Sequence, residues 1–179
     1  MQLSVPRAAY IHVPFCRHRC GYCNFTLIAG RDDLIGDYLR AIEMELSALE
    51  TPREVDTLYF GGGTPSYLSA QQLDYLFRGL QRYFPWDRAE EIAFECEPGT
   101  LQENKIKALR ELGVTRLSLG VENFDPTILE INNRAHRAVE IDRASAGRHG
   151  RDQGRPVEAQ RQVAVEVAPD RRDRAVVDR

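Results

Sequence analysis

The sequence predicts an α/β fold, a parallel sheet or barrel of about four strand–helix units, on three observations. Short β-prone apolar runs alternate with segments of helical periodicity, glycine or proline stands at the strand ends, and helices of roughly 10 to 18 residues separate successive strands. Connections of that length are too long for hairpins and suit right-handed crossovers between parallel strands.

The first strand is Ala8-Ala9-Tyr10-Ile11-His12-Val13, stopped by Pro14, which has no N–H to give to a ladder. Residues 32–49 follow with apolar positions Leu34, Ile35, Tyr38, Leu39, Ile42, Leu46 and Leu49 at three-to-four spacing, and Asp32 or Asp33 is available as the cap. A second strand, Val55-Asp56-Thr57-Leu58-Tyr59-Phe60, runs into Gly61-Gly62-Gly63. Ser69 is placed to cap a helix with Leu73, Leu76, Phe77, Leu80 and Phe84 on one side. Ile92-Ala93-Phe94-Glu95 is a third strand stopped at Pro98, a helix is expected from Thr100 to near Gly113, and Thr115-Arg116-Leu117-Ser118-Leu119-Gly120 is the fourth strand. Asp125-Pro126 then pairs an N-cap with proline at the first helical position. In such architectures ligands collect at the C-terminal ends of the strands, which is where the cysteines, the glycines, Glu95 and Glu122 fall.

Composition narrows the function classes. With 42% apolar residues in 179, the chain can build a core. No apolar run reaches the roughly 18 to 20 residues of a membrane span, and the N-terminus lacks a signal-peptide pattern, so a cytoplasmic location is expected. The net charge of −3 gives no general reason to expect nucleic acid. Beyond about residue 141 the character changes. Residues 143–179 hold nine arginines against four aspartates and two glutamates, with no leucine, lysine or aromatic residue. The division expected is therefore a core over residues 1–141 and an Arg-rich tail over 142–179. Missing aromatics argue against stacking on bases, low apolar content predicts an irregular or disordered tail, and a shifted reading frame in GC-rich coding DNA explains the composition best.

Three of the four cysteines, Cys16, Cys20 and Cys23, have the spacing C-x3-C-x2-C just after a strand. That crowding points to a metal or redox site rather than to disulfides. Three thiolates can hold three corners of a cubane cluster and leave one iron open; structural zinc usually wants four protein ligands, and here only His12 or His18 could complete the set. Cys96 stands alone in the third strand and reads as a core residue. Arg17, His18 and Arg19 form a positive loop that offsets cluster charge. The three glycines at a strand end allow backbone N–H groups to approach a ligand closely, with the Thr64 hydroxyl beside them, and Glu95 and Glu122 are strand-end carboxylates suited to hydroxyl or ammonium groups.

The cysteine spacing resembles that of the radical S-adenosylmethionine (SAM) superfamily. The run Tyr10-Ile11-His12-Val13-Pro14-Phe15-Cys16 is similar to the oxygen-independent coproporphyrinogen III oxidases and the HemW-like heme chaperones. Gly61-Gly62-Gly63-Thr64-Pro65-Ser66, Glu95-Cys96-Glu97-Pro98, Arg116-Leu117-Ser118-Leu119-Gly120-Val121-Glu122 and Asn133-Arg134-Ala135-His136 extend the likeness, in order, over about residues 8–141. The resemblance implies a partial barrel, a [4Fe-4S] cluster on Cys16, Cys20 and Cys23, and SAM chelating the open iron. It implies reductive cleavage to a 5′-deoxyadenosyl radical with a one-electron donor, and a tetrapyrrole partner, coproporphyrinogen III or heme. It places Tyr10 beside the cluster, Tyr22 at the adenine, Gly62, Gly63 and Thr64 at the SAM amino group, and Glu95 on SAM. Glu122 and Arg134 correspond to contacts of a second SAM in the oxidase. The family's usual Gln at position 122 is Glu here, which puts that second site in doubt.

Two features lean toward the heme chaperone over the oxidase: the short stretch before Cys16, and Tyr22 where the oxidase usually has Phe. The family's barrel has about six units and about four are visible here. An open sheet edge and uncovered apolar faces are therefore expected, and with them poor solubility and no turnover by this chain alone.

Overall fold

The computed structural model describes residues 6–134, 136–146 and 162–166. Its main sheet has five strands in the order β1-β4-β5-β6-β7: Ala8–Val13 (β1), Thr57–Gly62 (β4), Glu91–Cys96 (β5), Arg116–Gly120 (β6) and Gln162–Glu166 (β7). The first four are mutually parallel. Helices α1 (Ile35–Ser47), α2 (Ala70–Gln81) and α3 (Glu103–Glu111) make the crossovers, and α4 (Pro126–Ile131) and α5 (Ala138–Ala146) follow β6. A small parallel pair, β2 (Phe15–Cys16) and β3 (Ile28–Ala29), brackets the cysteine loop. The α/β parallel reading of the sequence is therefore the observed fold.

Register shows why the core forms where it does. Ile11, Phe60, Phe94 and Leu117 lie side by side across four strands and are all buried against the helices. Phe60 stacks on Phe77 of α2 with ring centroids 4.5 Å apart, and Trp86 closes edge-on against Phe77 at 5.7 Å. Because side chains alternate along a strand, Tyr10, His12, Tyr59, Glu95 and Ser118 occupy the opposite face. One sheet face is thus an apolar core and the other a polar surface.

Several ends differ from expectation. Neither Asp32 nor Asp33 caps α1: Asp33 pairs with Arg31, Asp32 accepts the Tyr67 hydroxyl at 2.8 Å, and residues 32–34 form a 3-10 turn ahead of the helix. Gly61 and Gly62 belong to β4, and a 3-10 turn at Pro98–Thr100 precedes α3, which starts at Glu103. Two caps are as the residues predict. Asp125 accepts from the N–H groups of Thr127 and Ile128, and Ser69 with Gln72 forms a reciprocal capping box. Ser69→Ala is accordingly expected to lower stability by about 1 kcal/mol in urea denaturation, with Ser69→Gly milder.

Helix α5 continues past residue 141, and its Ile141 and Ala144 pack into the core. In the tail, the irregular structure expected is replaced over Gln162–Glu166 by a strand antiparallel to β6, with Val165 opposite Leu117 and Val163 opposite Leu119. The alternation Gln-Val-Ala-Val-Glu is too short to stand out in Arg-rich surroundings, and an open β6 edge supplies the partner that makes it a strand. The rest of the tail lies outside the described residues. Among those described, no helix is long and apolar enough to cross a membrane.

Candidate active site

Parallel pairing puts the C-terminal ends of β1, β4, β5 and β6 at one edge, and a cavity of about 570 Å³ opens there. Its wall brings together Cys16, Cys20 and Cys23, Tyr22, Gly62, Gly63 and Thr64, Glu95, Glu122 and Arg134. Residues more than 110 positions apart meet there because the fold returns to the same edge after each crossover. Tyr10 stands apart. Its ring stacks on Tyr59 at 6.0 Å and its hydroxyl meets His12 Nδ1 at 3.0 Å, on the polar sheet face beside the cavity wall rather than in it. His12 Nε2–H donates to the Thr26 carbonyl at 3.0 Å, which leaves Nδ1 to accept from Tyr10.

The cysteine loop is held at both ends. Ile28 N–H donates to the Pro14 carbonyl and Gly30 N–H to that of Cys16, while Gly21 N–H reaches the Asn132 carbonyl at 3.1 Å and His18 Nε2 reaches that of Asn133. Cys16 is buried, and burial pushes its thiol pKa up while the hydrogen bond with the Thr64 hydroxyl, at 3.2 Å, opposes the rise. A metal bound at this sulfur would have to displace that proton. Cys96 is buried in β5 as expected, and burial raises its pKa far above the usual thiol range.

The glycines act differently from the expectation that their N–H groups face a ligand. Gly63 N–H donates to the Val13 carbonyl and Thr64 N–H to that of Phe15, both at 2.8 Å, so these donors fasten β4 to the cysteine strand. A methyl at Gly63 would come within 2.6 Å of the Pro14 carbonyl oxygen and 2.9 Å of Cys16 Sγ. At Gly62, with φ of +117°, it would meet the His12 ring at 2.8 Å. Glycine is required because two backbones touch.

Glu95 is oriented by Tyr59, whose hydroxyl donates to Oε1 at 2.5 Å, and burial together with that bond pushes the Tyr59 pKa up. Glu122 sits at φ +62° in a tight turn in which Asn123 N–H donates to the Val121 carbonyl at 2.7 Å. A positive φ at a non-glycine costs about 1–2 kcal/mol, and such strain is concentrated at functional sites. Arg134 donates to Cys20 Sγ at 3.4 Å, to the Tyr22 hydroxyl at 3.0 Å and to the Gly120 carbonyl. Burial pushes the Tyr22 pKa up, and the Arg134 charge opposes it.

Three residues important here are given no role by the sequence, although His136 belongs to one of its motifs. Tyr59 orients Glu95 only through register. Lys105 lines the cavity, donates to the Ser66 carbonyl at 2.6 Å and has its pKa lowered by burial. His136 is fully buried between Glu97 Oε1, at 2.6 Å, and the Val121 carbonyl, at 3.2 Å, and so ties the end of β5 to the end of β6.

The donor set can be tested against the group that the spacing suggests. Among the described residues no three His, Cys, Asp or Glu side chains converge on a single-ion site. Tetrahedral zinc requires such convergence, whereas a cubane takes one thiolate at each of three irons. Arg134 Nε is buried without a partner, as expected beside a site that takes a further acceptor. Three thiols on one cavity wall are the donor set that a cubane with one open iron would take.

Comparison with known proteins gives the same direction. A family model described as the radical SAM superfamily matches residues 10–146, ending where α5 ends. The heme chaperone HemW of Lactococcus lactis subsp. lactis is 37% identical over 139 residues, covering 78% of this chain and 36% of that protein. The oxygen-independent coproporphyrinogen III oxidase of Bradyrhizobium diazoefficiens is 40% identical over 130 residues, 70% of this chain and 29% of that one. A solved structure described as coproporphyrinogen III oxidase (HemN) from Escherichia coli, a radical SAM enzyme, superimposes with a TM-score of 0.72 at 32% identity, covering 78% of this chain and 33% of that one. This chain spans about a third of the length of these relatives.

Proposed function

This chain belongs to the radical SAM superfamily, and on that premise we propose that Cys16, Cys20 and Cys23 hold a [4Fe-4S] cluster at which SAM binds, in a HemW-like protein of heme metabolism. The observation that carries the reading is that the three thiols of one loop share a cavity at the C-terminal strand edge with Thr64, Glu95 and Arg134, which come from three other parts of the chain. When bound, cluster and SAM supply a one-electron reductive cleavage.

The chain's own groups have definable tasks. The Tyr59 hydroxyl fixes the Glu95 carboxylate, which is suited to a ribose diol or an ammonium group. With the N–H groups of Gly63 and Thr64 engaged inside the protein, an ammonium ligand is received by acceptors at this turn: backbone carbonyls and the Thr64 oxygen. The guanidinium of Arg134 is directed at Cys20, Tyr22 and Gly120, and Glu122 replaces a neutral amide with a carboxylate, so we assign one SAM rather than two.

The oxidase is the second reading, favoured by the superposition on the Escherichia coli enzyme. Anaerobic reconstitution tests both, on this chain for the cluster and, because no turnover is expected of this chain alone, on a version extended to its relatives' length for heme and coproporphyrinogen III. Iron and sulfide near four per chain and a change in the cluster's EPR spectrum on adding SAM are expected. Retention of heme without conversion of coproporphyrinogen III supports the chaperone, and formation of the vinyl product overturns it in favour of the oxidase. Failure to retain iron and sulfide would remove the common basis of both.

A further inference from the structure

Arg134 is placed by a chain of local structure that ends on a cysteine. Helix α4 closes with Asn133 in the left-handed region, φ +53°, the N–H of Asn133 donating to Glu130 and that of Arg134 to Leu129. This pair of bonds is the Schellman arrangement, which fixes the direction in which the next side chain leaves the helix. The same turn is fastened to the cysteine loop, since Gly21 N–H donates to the Asn132 carbonyl and His18 to that of Asn133. Arg134 therefore enters the site on a rigid support, and its Nη1 lies 3.4 Å from Cys20 Sγ.

We propose that Arg134 is a positioning residue for the cluster: its hydrogen bond to the Cys20 sulfur steadies one cluster corner and raises the reduction potential. The inference rests on the cluster reading above. Reduction adds negative charge to cluster and thiolates, so a cation and an N–H donor at a ligand sulfur stabilise the reduced state more than the oxidised one. Arg17 and Arg19 are also in the loop, but both are exposed and screened by water and salt, whereas Arg134 is partly buried and held by Gly120 and Tyr22.

The test is an EPR-monitored redox titration of reconstituted wild type, Arg134→Lys and Arg134→Gln. The midpoint is expected to move to more negative potential in Arg134→Gln. A smaller move in the same direction is expected in Arg134→Lys, which keeps the charge but not the fork. Unchanged midpoints with the cluster intact would overturn the proposal. Loss of the cluster in both variants would overturn it too, because Arg134 would then be a structural clasp of the loop. A wild-type chain that takes up no cluster would instead refute the underlying reading.

Discussion

Alanine in place of any one of Cys16, Cys20 and Cys23 is expected to abolish the cluster, while Cys96→Ala leaves it intact. The distinction comes from placement. Cys16, Cys20 and Cys23 sit together on one loop at the cavity, whereas Cys96, which also lines it, is buried in β5, away from that loop, and burial raises its pKa far above the usual thiol range. Loss of a residue that merely supports a ligand already lowers metal affinity roughly 10–100-fold, so loss of a ligand should lower cluster content at least as far. Acid-labile sulfide and visible absorption after anaerobic reconstitution measure it. Cys16→Ala with wild-type sulfide content would rule out the three-cysteine assignment. The Cys96 variant should lose only packing, about 1 kcal/mol or less, for removal of a small buried group.

Gly63→Ala is expected to be as disabling by another route. Its methyl would press on the Pro14 carbonyl, which is backbone that the β2–β3 pair and the β4 hydrogen bonds prevent from retreating, and on the Cys16 side chain at Sγ. Overpacking of this kind costs about 1–3 kcal/mol. Gly62→Ala adds a strained φ to a clash with His12. Both variants should therefore unfold at lower urea and reconstitute poorly, since the displaced atom at Gly63 is itself a proposed iron ligand. Gly79→Ala is the control. It lies in α2 with open space at the position of a methyl, so a gain of up to about 1 kcal/mol is expected. Wild-type stability in Gly63→Ala would show that the contact relaxes freely.

Much of the site could be read before the fold because its residues announce themselves locally. The C-x3-C-x2-C spacing needs only eight consecutive residues, and glycine runs, caps and helical periodicity are likewise properties of near neighbours. Ser69 with Gln72 and Asp125 with Pro126 behave as their spacing predicts because each cap is closed by atoms within three residues. Asp32 and Asp33 do not, because Tyr67 and Arg31 compete for their carboxylates. Gly62 and Gly63 line the cavity, yet the N–H groups of Gly63 and Thr64 are taken by the Val13 and Phe15 carbonyls, an outcome that depends on how closely β4 approaches the chain leading to Cys16.

By itself, then, the sequence determined the alternation of strands and helices, the parallel class of the sheet and the identity of the three thiols. Those follow from periodicity, turn residues and spacing, which act over a few residues. Tertiary structure decided which polar groups meet. Tyr59 with Glu95, His136 with Glu97 and Arg134 with Cys20 are separated by 36, 39 and 114 positions, and only strand register and the closure of α4 bring each pair within hydrogen-bonding reach. The strand at Gln162–Glu166 belongs with them, since a weak alternating segment becomes β structure only when an open edge presents unpaired N–H and C=O groups to it.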